Sequence, residues 1–379
     1  MHFDYTEEQQ QFADALSRWL QKHYTFEHRA DVVTQESGIN QEDWRQLAEL
    51  GVFAITVPEA ADGFDGDSVD LMLIMQQMGR HLVAEPVLDT LVGIDVLKQA
   101  GADTALLAAI GAGAQRVSCA FFEREARYDL SSIATTATAA EGGYRLDGRK
   151  HLVLHGATAD LLIVSARLAE PGGTAKMALF CVPARASGIE FTAYRTVDGQ
   201  RAADLVLRQV FVPAQAALTV DGQATLDRAE DLATVALCAE GLGVMQALNQ
   251  ATFDYLKTRR QFGVPLGTFQ ALQHRCADMY MEFEQARVLT MLAATRLRHT
   301  GALQRRRAVS AAKTKVNRAL RFIGQHAVHL HGGIGLTDEL PVSHYFRRGA
   351  LIARQSGDTD HHLGRFMRQP GFDPVAGQN

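Results

Sequence analysis

The sequence predicts a mainly α-helical protein with a central antiparallel β region. From residue 6 to about 112, apolar positions recur at helical intervals, as in "FADALSRWLQKHY" and "VDLMLIMQQMGRHL". From about 117 to 215 the texture changes to short β-like runs separated by turn residues. After "DGQATL" the chain reads as helical almost to its end, in long stretches at 225–258, 267–299 and 303–330. Long helices joined by short loops pack as an antiparallel bundle.

The first helical part is interrupted by "VPEAADGFDGD", a Gly/Asp-rich loop. The β region consists of "YRLDGRKHLVLHG", "ADLLIVSAR", "MALFCVP", "GIEFTAY" and "ADLVLRQVFVP", whose spacing fits an antiparallel barrel or sandwich. No strand is followed by a Gly-rich phosphate loop, which disfavours a Rossmann domain. The expected domains are 1–115, 116–222 and 223–379, and the Pro/Gly-rich tail "RQPGFDPVAGQN" is expected to fray.

The 379 residues are 47% hydrophobic and 21% charged, an ordinary composition for a globular chain. A net charge of -5 supplies no basic field for phosphate backbones, so nucleic-acid binding is disfavoured and a small substrate expected. The start "MHFDYTEEQQQFADAL" has no basic, apolar leader, and no uninterrupted apolar run approaches the roughly 20 residues of a membrane span. A cytoplasmic protein with no membrane span is the expectation. Cys119, Cys181, Cys238 and Cys276 are irregularly spaced, as reduced core thiols are. "DTDHH" has metal-ligand residue types but no spaced partners, and no metal is expected.

One residue stands out. From Leu232 to Phe253 the sole charge is Glu240, with no lysine or arginine three or four positions away to pair with. Such an acid finds a partner on another element, faces water, or does chemistry. Arg259 and Arg260 offer guanidinium donors at a helix end, and Gly332, Gly333 and Gly335 allow backbone amides close to a phosphate. Each motif alone is better read as a helix terminus, and only the two together in this order favour a phosphate-bearing cofactor.

Two segments, "YLKTRRQFGVPLGTFQALQHRCADM" and "HLHGGIGLTDELPVSHYFRRGALI", resemble the C-terminal signatures of the acyl-CoA dehydrogenase family. "YTEEQQQF" and "LAELGVFAITVPEAADGFDG" resemble its amino-terminal pattern. The resemblance implies an N-terminal α-helical domain, a β-barrel and a C-terminal four-helix bundle, with FAD between barrel and bundle. It also implies α-proton abstraction from an acyl-CoA by a carboxylate, hydride transfer to the flavin, and reoxidation by an electron-transferring flavoprotein. By that resemblance Arg259, Gln261, Phe262, Gln270, Gln325, Gly332, Gly333 and Gly335 bind cofactor across a subunit interface. A homo-oligomer or a heterotetramer with a related chain follows.

The chain departs from the family pattern at three places. Ser356 falls where the usual base is expected, and Ala233 and Thr234 fall where the alternative base and its arginine are expected. The flavin-lining barrel stretches read "FFER" and "LVL", so Leu152 and Leu154 occupy the ring-facing positions and no hydroxyl stands at 154. Glu240, two helical turns beyond Ala233, is the candidate base, with Asp358 as the alternative. These departures resemble bacterial heteromeric members, in particular the small subunit of pimeloyl-CoA dehydrogenase, which acts on a dicarboxylyl-CoA. Three readings stay open: a dehydrogenase using Glu240, a non-catalytic partner completing a neighbour's FAD site, and an oxygen-using relative.

Overall fold

Thr6 opens the first helix. Its hydroxyl accepts the Gln9 N–H and the Gln9 side chain accepts the Thr6 N–H, a capping box that satisfies two otherwise orphaned donors. The structure, a computed structural model, describes residues 5–168, 175–219, 222–298 and 301–369. The tail beyond Gln369, where fraying is expected, lies outside the described residues.

The helices of the first part are α1 (Glu7–His23), α2 (Phe26–Thr34), α3 (Gln41–Glu49), α4 (Ser68–His81), α5 (Val87–Gln99) and α6 (Thr104–Gly111). The sheet follows: β1 (Val117–Ala120), β2 (Thr136–Ala140), β3 (Gly143–Leu154), β4 (Leu161–Leu168), β5 (Lys176–Pro183), β6 (Ile189–Arg195), β7 (Arg201–Pro213) and β8 (Ala217–Thr219). Then come α7 (Gln223–Thr258), the short strands β9 (Arg260–Gln261) and β10 (Val264–Pro265), α8 (Gln270–Leu297), α9 (Ala302–His331), α10 (Pro341–Ile352) and α11 (Thr359–Met367). The order is helical, sheet, helical. The strands run β6-β7-β3-β2-β4-β5-β8 with β1 beside β4, an open path, so the hydrogen bonding does not close into the expected barrel.

Contacts group the chain into two compact units. One comprises residues 1–29, 68–83 and 234–379. Within it α8 and α9 pair Arg275 with His329, Glu282 with Lys315 and Arg296 with Gln304, an antiparallel register, and α10 and α11 pack on α9. Helices α4 and α7 cross backbone to backbone. A Cβ on Gly79 would lie 1.9 Å from the Glu240 carbonyl oxygen, and one on Gly243 would lie 2.0 Å from that of Gln76. Only glycine permits that approach. By length and composition α7 could cross a membrane, yet 83% of its apolar window is buried inside the protein, as in a core helix.

The other unit comprises residues 30–67 and 84–233. Its sheet buries Leu146, Val153, Leu162, Val164, Phe180, Leu205 and Leu207 in one apolar cluster, while β4 and β5 also bury their other face through Ile163, Ser165 and Leu179. Arg201 ties the sheet to the end of α2, donating from Nε to the Glu36 carbonyl at 2.9 Å and from a terminal nitrogen to that of Val33 at 3.1 Å. All four cysteines are free thiols.

Candidate active site and cofactor face

Glu240 is 3% exposed, and its partner lies on another element. Arg348, on α10, donates from Nε to Oε1 and from a terminal nitrogen to Oε2, both at 2.6 Å. This is the fork-to-fork geometry that makes arginine and carboxylate a matched pair. Lys313 on α9 is buried nearby, donating to the Ile352 carbonyl, and burial pushes it down to about 8. The position therefore holds a paired acid within a buried polar cluster. Arg348 was not singled out from the sequence; its signal was the second arginine of "YFRRG", one step beyond Arg347, which pairs with Asp338 at the surface.

The other candidate carboxylate is also engaged. Asp358 is the N-cap of α11, accepting the His361 N–H at 2.9 Å. Ser356 is buried, and its carbonyl accepts from His362 Nε2 at 2.7 Å, which assigns the proton to that nitrogen. Among the described residues no group of three or more His, Cys, Asp or Glu side chains is arranged to hold a metal ion.

The cofactor-assigned residues of the helical unit lie on a surface. β9 and β10 form a hairpin whose two-residue turn is Phe262 (φ 53) and Gly263 (φ 83). Positive φ at both turn residues suits a tight hairpin, but a phenylalanine there is strained. Phe262 is nonetheless 89% exposed, in edge-on contact with Phe269 at 6.2 Å. Tyr255, at the end of α7, stacks on His331, the last residue of α9, at 4.4 Å. That contact joins the two signature segments. Arg259, Gln261, Gln270, Gln325, Gly332 and Gly333 are all exposed, and a Cβ on Gly332 or Gly333 would meet nothing within 4 Å. Gly335 differs: it is buried, and a Cβ would come within 2.8 Å of the Val328 carbonyl, so packing alone requires it. Sequence reading missed Arg275 and His329, which meet at 3.2 Å between α8 and α9. Both stand inside the quoted signatures, in "ALQHR" and "HLHGG".

In the sheet unit, Leu152 and Leu154 are half-buried on β3, with Val153 between them in the core. Two residues before Leu152, Lys150 is fully buried and donates to Glu123 at 2.8 Å and to Ser165 at 3.0 Å. Burial lowers Lys150 to about 8 against the attraction of Glu123. Glu123 also accepts from the Ala134 and Thr135 N–H groups and the Thr135 hydroxyl, which anchors the "FFER" loop.

These donors fit a dinucleotide flavin in one respect and narrow it in another. Exposed guanidinium and amide groups beside an open glycine turn suit a pyrophosphate and an adenine. The positions assigned to the ring offer aliphatic side chains and backbone, with no hydroxyl at residue 154.

The chain matches the acyl-CoA dehydrogenase N-terminal domain over residues 6–105, the middle domain over 118–210 and the C-terminal domain over 229–369. It belongs to the acyl-CoA dehydrogenase family, FAD-dependent oxidoreductases acting on acyl-CoA thioesters. It is similar to acyl-CoA dehydrogenase FadE27 of Mycobacterium tuberculosis, at 28% identity over 99% of this chain and 100% of that one. Benzylmalonyl-CoA dehydrogenase of Aromatoleum aromaticum is 29% identical over 92% of this chain and 93% of its own. Among solved structures, a Tcur3481-Tcur3483 steroid ACAD variant superposes with a TM-score of 0.87 at 32% identity, covering 95% of this chain and 96% of that one. The ChsE4-ChsE5 complex of Mycobacterium tuberculosis gives 0.88 at 26% identity, covering 97% and 98%.

Proposed function

We propose that this chain is one subunit of a heteromeric FAD-dependent acyl-CoA dehydrogenase. In this reading it contributes the hairpin and glycine face to the shared cofactor and leaves proton abstraction to a related partner chain. The observation that carries the reading is that Glu240 has both oxygens in the Arg348 fork. Taking the α-proton of a thioester requires a carboxylate lone pair aimed at that carbon. FAD, when bound, accepts the hydride leaving the β-carbon and passes the electrons on, in this reading to an electron-transferring flavoprotein.

The chain's own residues have binding and orienting roles. Arg259 neutralises phosphate charge, Gln261, Gln270 and Gln325 donate amide hydrogens, and Phe262 offers a flat face to an aromatic ring. Gly332 and Gly333 bring backbone N–H groups close to the diphosphate. Leu152 and Leu154 exclude water from the ring's edge. For Glu240 to act as base, its buried pair with Arg348 must open, at a cost of about 3–5 kcal/mol. Support for a two-chain assembly comes from the similarity to the ChsE4-ChsE5 complex and from Ser356 at the family's usual base position. The finer assignment, to the small subunit of pimeloyl-CoA dehydrogenase, is part of the proposal and rests on the resemblance of segments such as "GRKHLVLHGA" and "GDTDHHL".

The test is the flavin content of the chain purified alone and co-expressed with a related chain encoded beside it, followed by turnover of pimeloyl-CoA and unbranched acyl-CoA thioesters. The expected result is little flavin alone, about one flavin per pair together, and turnover in the pair that survives Glu240→Gln. Full flavin content and turnover in the isolated chain, abolished by Glu240→Gln, would return the base to Glu240.

A further inference from the structure

The ladder between β3 and β7 is irregular at one point. Lys150 pairs with Leu205 and Val153 with Ala203, so His151 and Leu152 both stand opposite Asp204. Two residues facing one make a β-bulge, which bends a strand and re-aims its side chains. At this bulge Leu152 adopts φ 53, a left-handed conformation that a leucine rarely takes. Something must hold it there.

Asp204 is in place to do so. Its Oδ1 accepts the Leu152 N–H at 3.2 Å and the Tyr194 hydroxyl at 2.9 Å, and His151 Nδ1 lies 2.7 Å from the same oxygen. The guanidinium of Arg124, from the "FFER" loop, is 3.8 Å from Oδ2. Burial opposes ionisation of Asp204, but the Leu152 N–H, Tyr194 and His151 outweigh it and hold the carboxyl below its ordinary value. Just before the bulge, the buried Lys150–Glu123 pair fixes the strand. A slip of one residue would drive Lys150 out of its buried niche and reverse which side chains face the core.

We infer that Asp204 is a positioning residue: by holding the N–H of left-handed Leu152, it keeps the β3 bulge in the conformation that presents Leu152 and Leu154 to the flavin ring. The inference rests on the assignment of those two leucines to the cofactor. It adds a residue that acts through the backbone of another.

The test compares Asp204→Ala and Asp204→Asn in the co-expressed, flavin-loaded complex. Its readouts are hydrogen–deuterium exchange over residues 150–155 and the visible circular dichroism of the bound flavin. Asp204→Ala is expected to speed exchange at the Leu152 amide about tenfold, the scale of one lost charged hydrogen bond, and to change the flavin band shape. Asp204→Asn keeps a carbonyl acceptor and is expected to restore both. If Asp204→Ala yields no soluble complex, Asp204→Ser withdraws the acceptor more gently and carries the same expectations. Parent-like exchange and parent-like dichroism in the Ala or Ser variant overturn the proposal. Leu154→Ser reads the underlying assignment separately. If it shifts the flavin spectrum while loss of the Asp204 carboxylate does not, the positioning role alone is wrong; if it shifts nothing, the assignment fails and takes the proposal with it.

Discussion

Glu240 sits inside α7 and Phe262 in the hairpin that follows it; the first is 3% exposed and the second 89%. The charged residue is sequestered and matched, while the aromatic one is held out in a strained turn where water gains nothing from it. An apolar ring kept exposed at a backbone cost contributes little to folding, whereas a buried ion pair belongs to the packing around it. The comparison teaches that in this helical unit the most conspicuous acid is buried and paired, while the aromatic and guanidinium groups of the hairpin stand on the surface.

The largest effect that would test the contrast comes from inside. Arg348→Leu leaves the Glu240 carboxylate buried and unmatched and is expected to cost about 3–5 kcal/mol in denaturant unfolding. Adding Glu240→Met should recover most of that loss, since an apolar pair of similar volume replaces the charges. A loss under about 1 kcal/mol for Arg348→Leu would show that water reaches the pair.

A smaller effect involves His362 on α11, which burial and nearby Lys313 push down to about 3 against its bond to the Ser356 carbonyl. The folded state holds this ring neutral while the unfolded chain protonates it near 6.5. Its contribution is therefore full above about pH 6.5 and is lost as pH falls toward 3, at roughly 1.4 kcal/mol per unit. Replacing His362 with Gln should flatten that part of the stability-against-pH curve; an unchanged slope would place the titration elsewhere.

The smallest effect on stability belongs to the outer face. Phe262→Asp and Arg259→Gln should shift unfolding by no more than about 0.5 kcal/mol. Flavin retained per co-expressed pair, measured by visible absorbance, should nevertheless fall severalfold. Retention at the parent level in both variants would remove the hairpin from the cofactor site.

Periodicity made most of this architecture legible before any coordinates. The stretches 225–258 and 303–330 correspond to α7 at Gln223–Thr258 and α9 at Ala302–His331, because long helices repeat their apolar spacing many times. Strand β2 at Thr136–Ala140 was not foreseen: "TATAA" has alternation in burial but too little contrast in side-chain size to reveal it. The isolation of Glu240 within its helix was readable, but Arg348 was not identifiable as its partner, because pairing across elements depends on how α7 and α10 pack. The bulge at Leu152 was invisible for a different reason. Leucine has no preference for a left-handed backbone, so the conformation comes from Asp204 on the neighbouring strand and leaves no local sign.

The division of the helical unit into three chain segments has a consequence for synthesis. Helix α4, with Leu71, Met72, Ile74 and Met78 buried in the finished fold, is complete by His81, but the part of α7 that its glycine crosses begins at Thr234. At about 5–20 residues per second, an emerging chain waits roughly 8–30 s between the two. During that interval α1 can pack on α4 but α7 cannot, so the face that α7 will cover stays open early in translation, well before any cofactor or second subunit can help it.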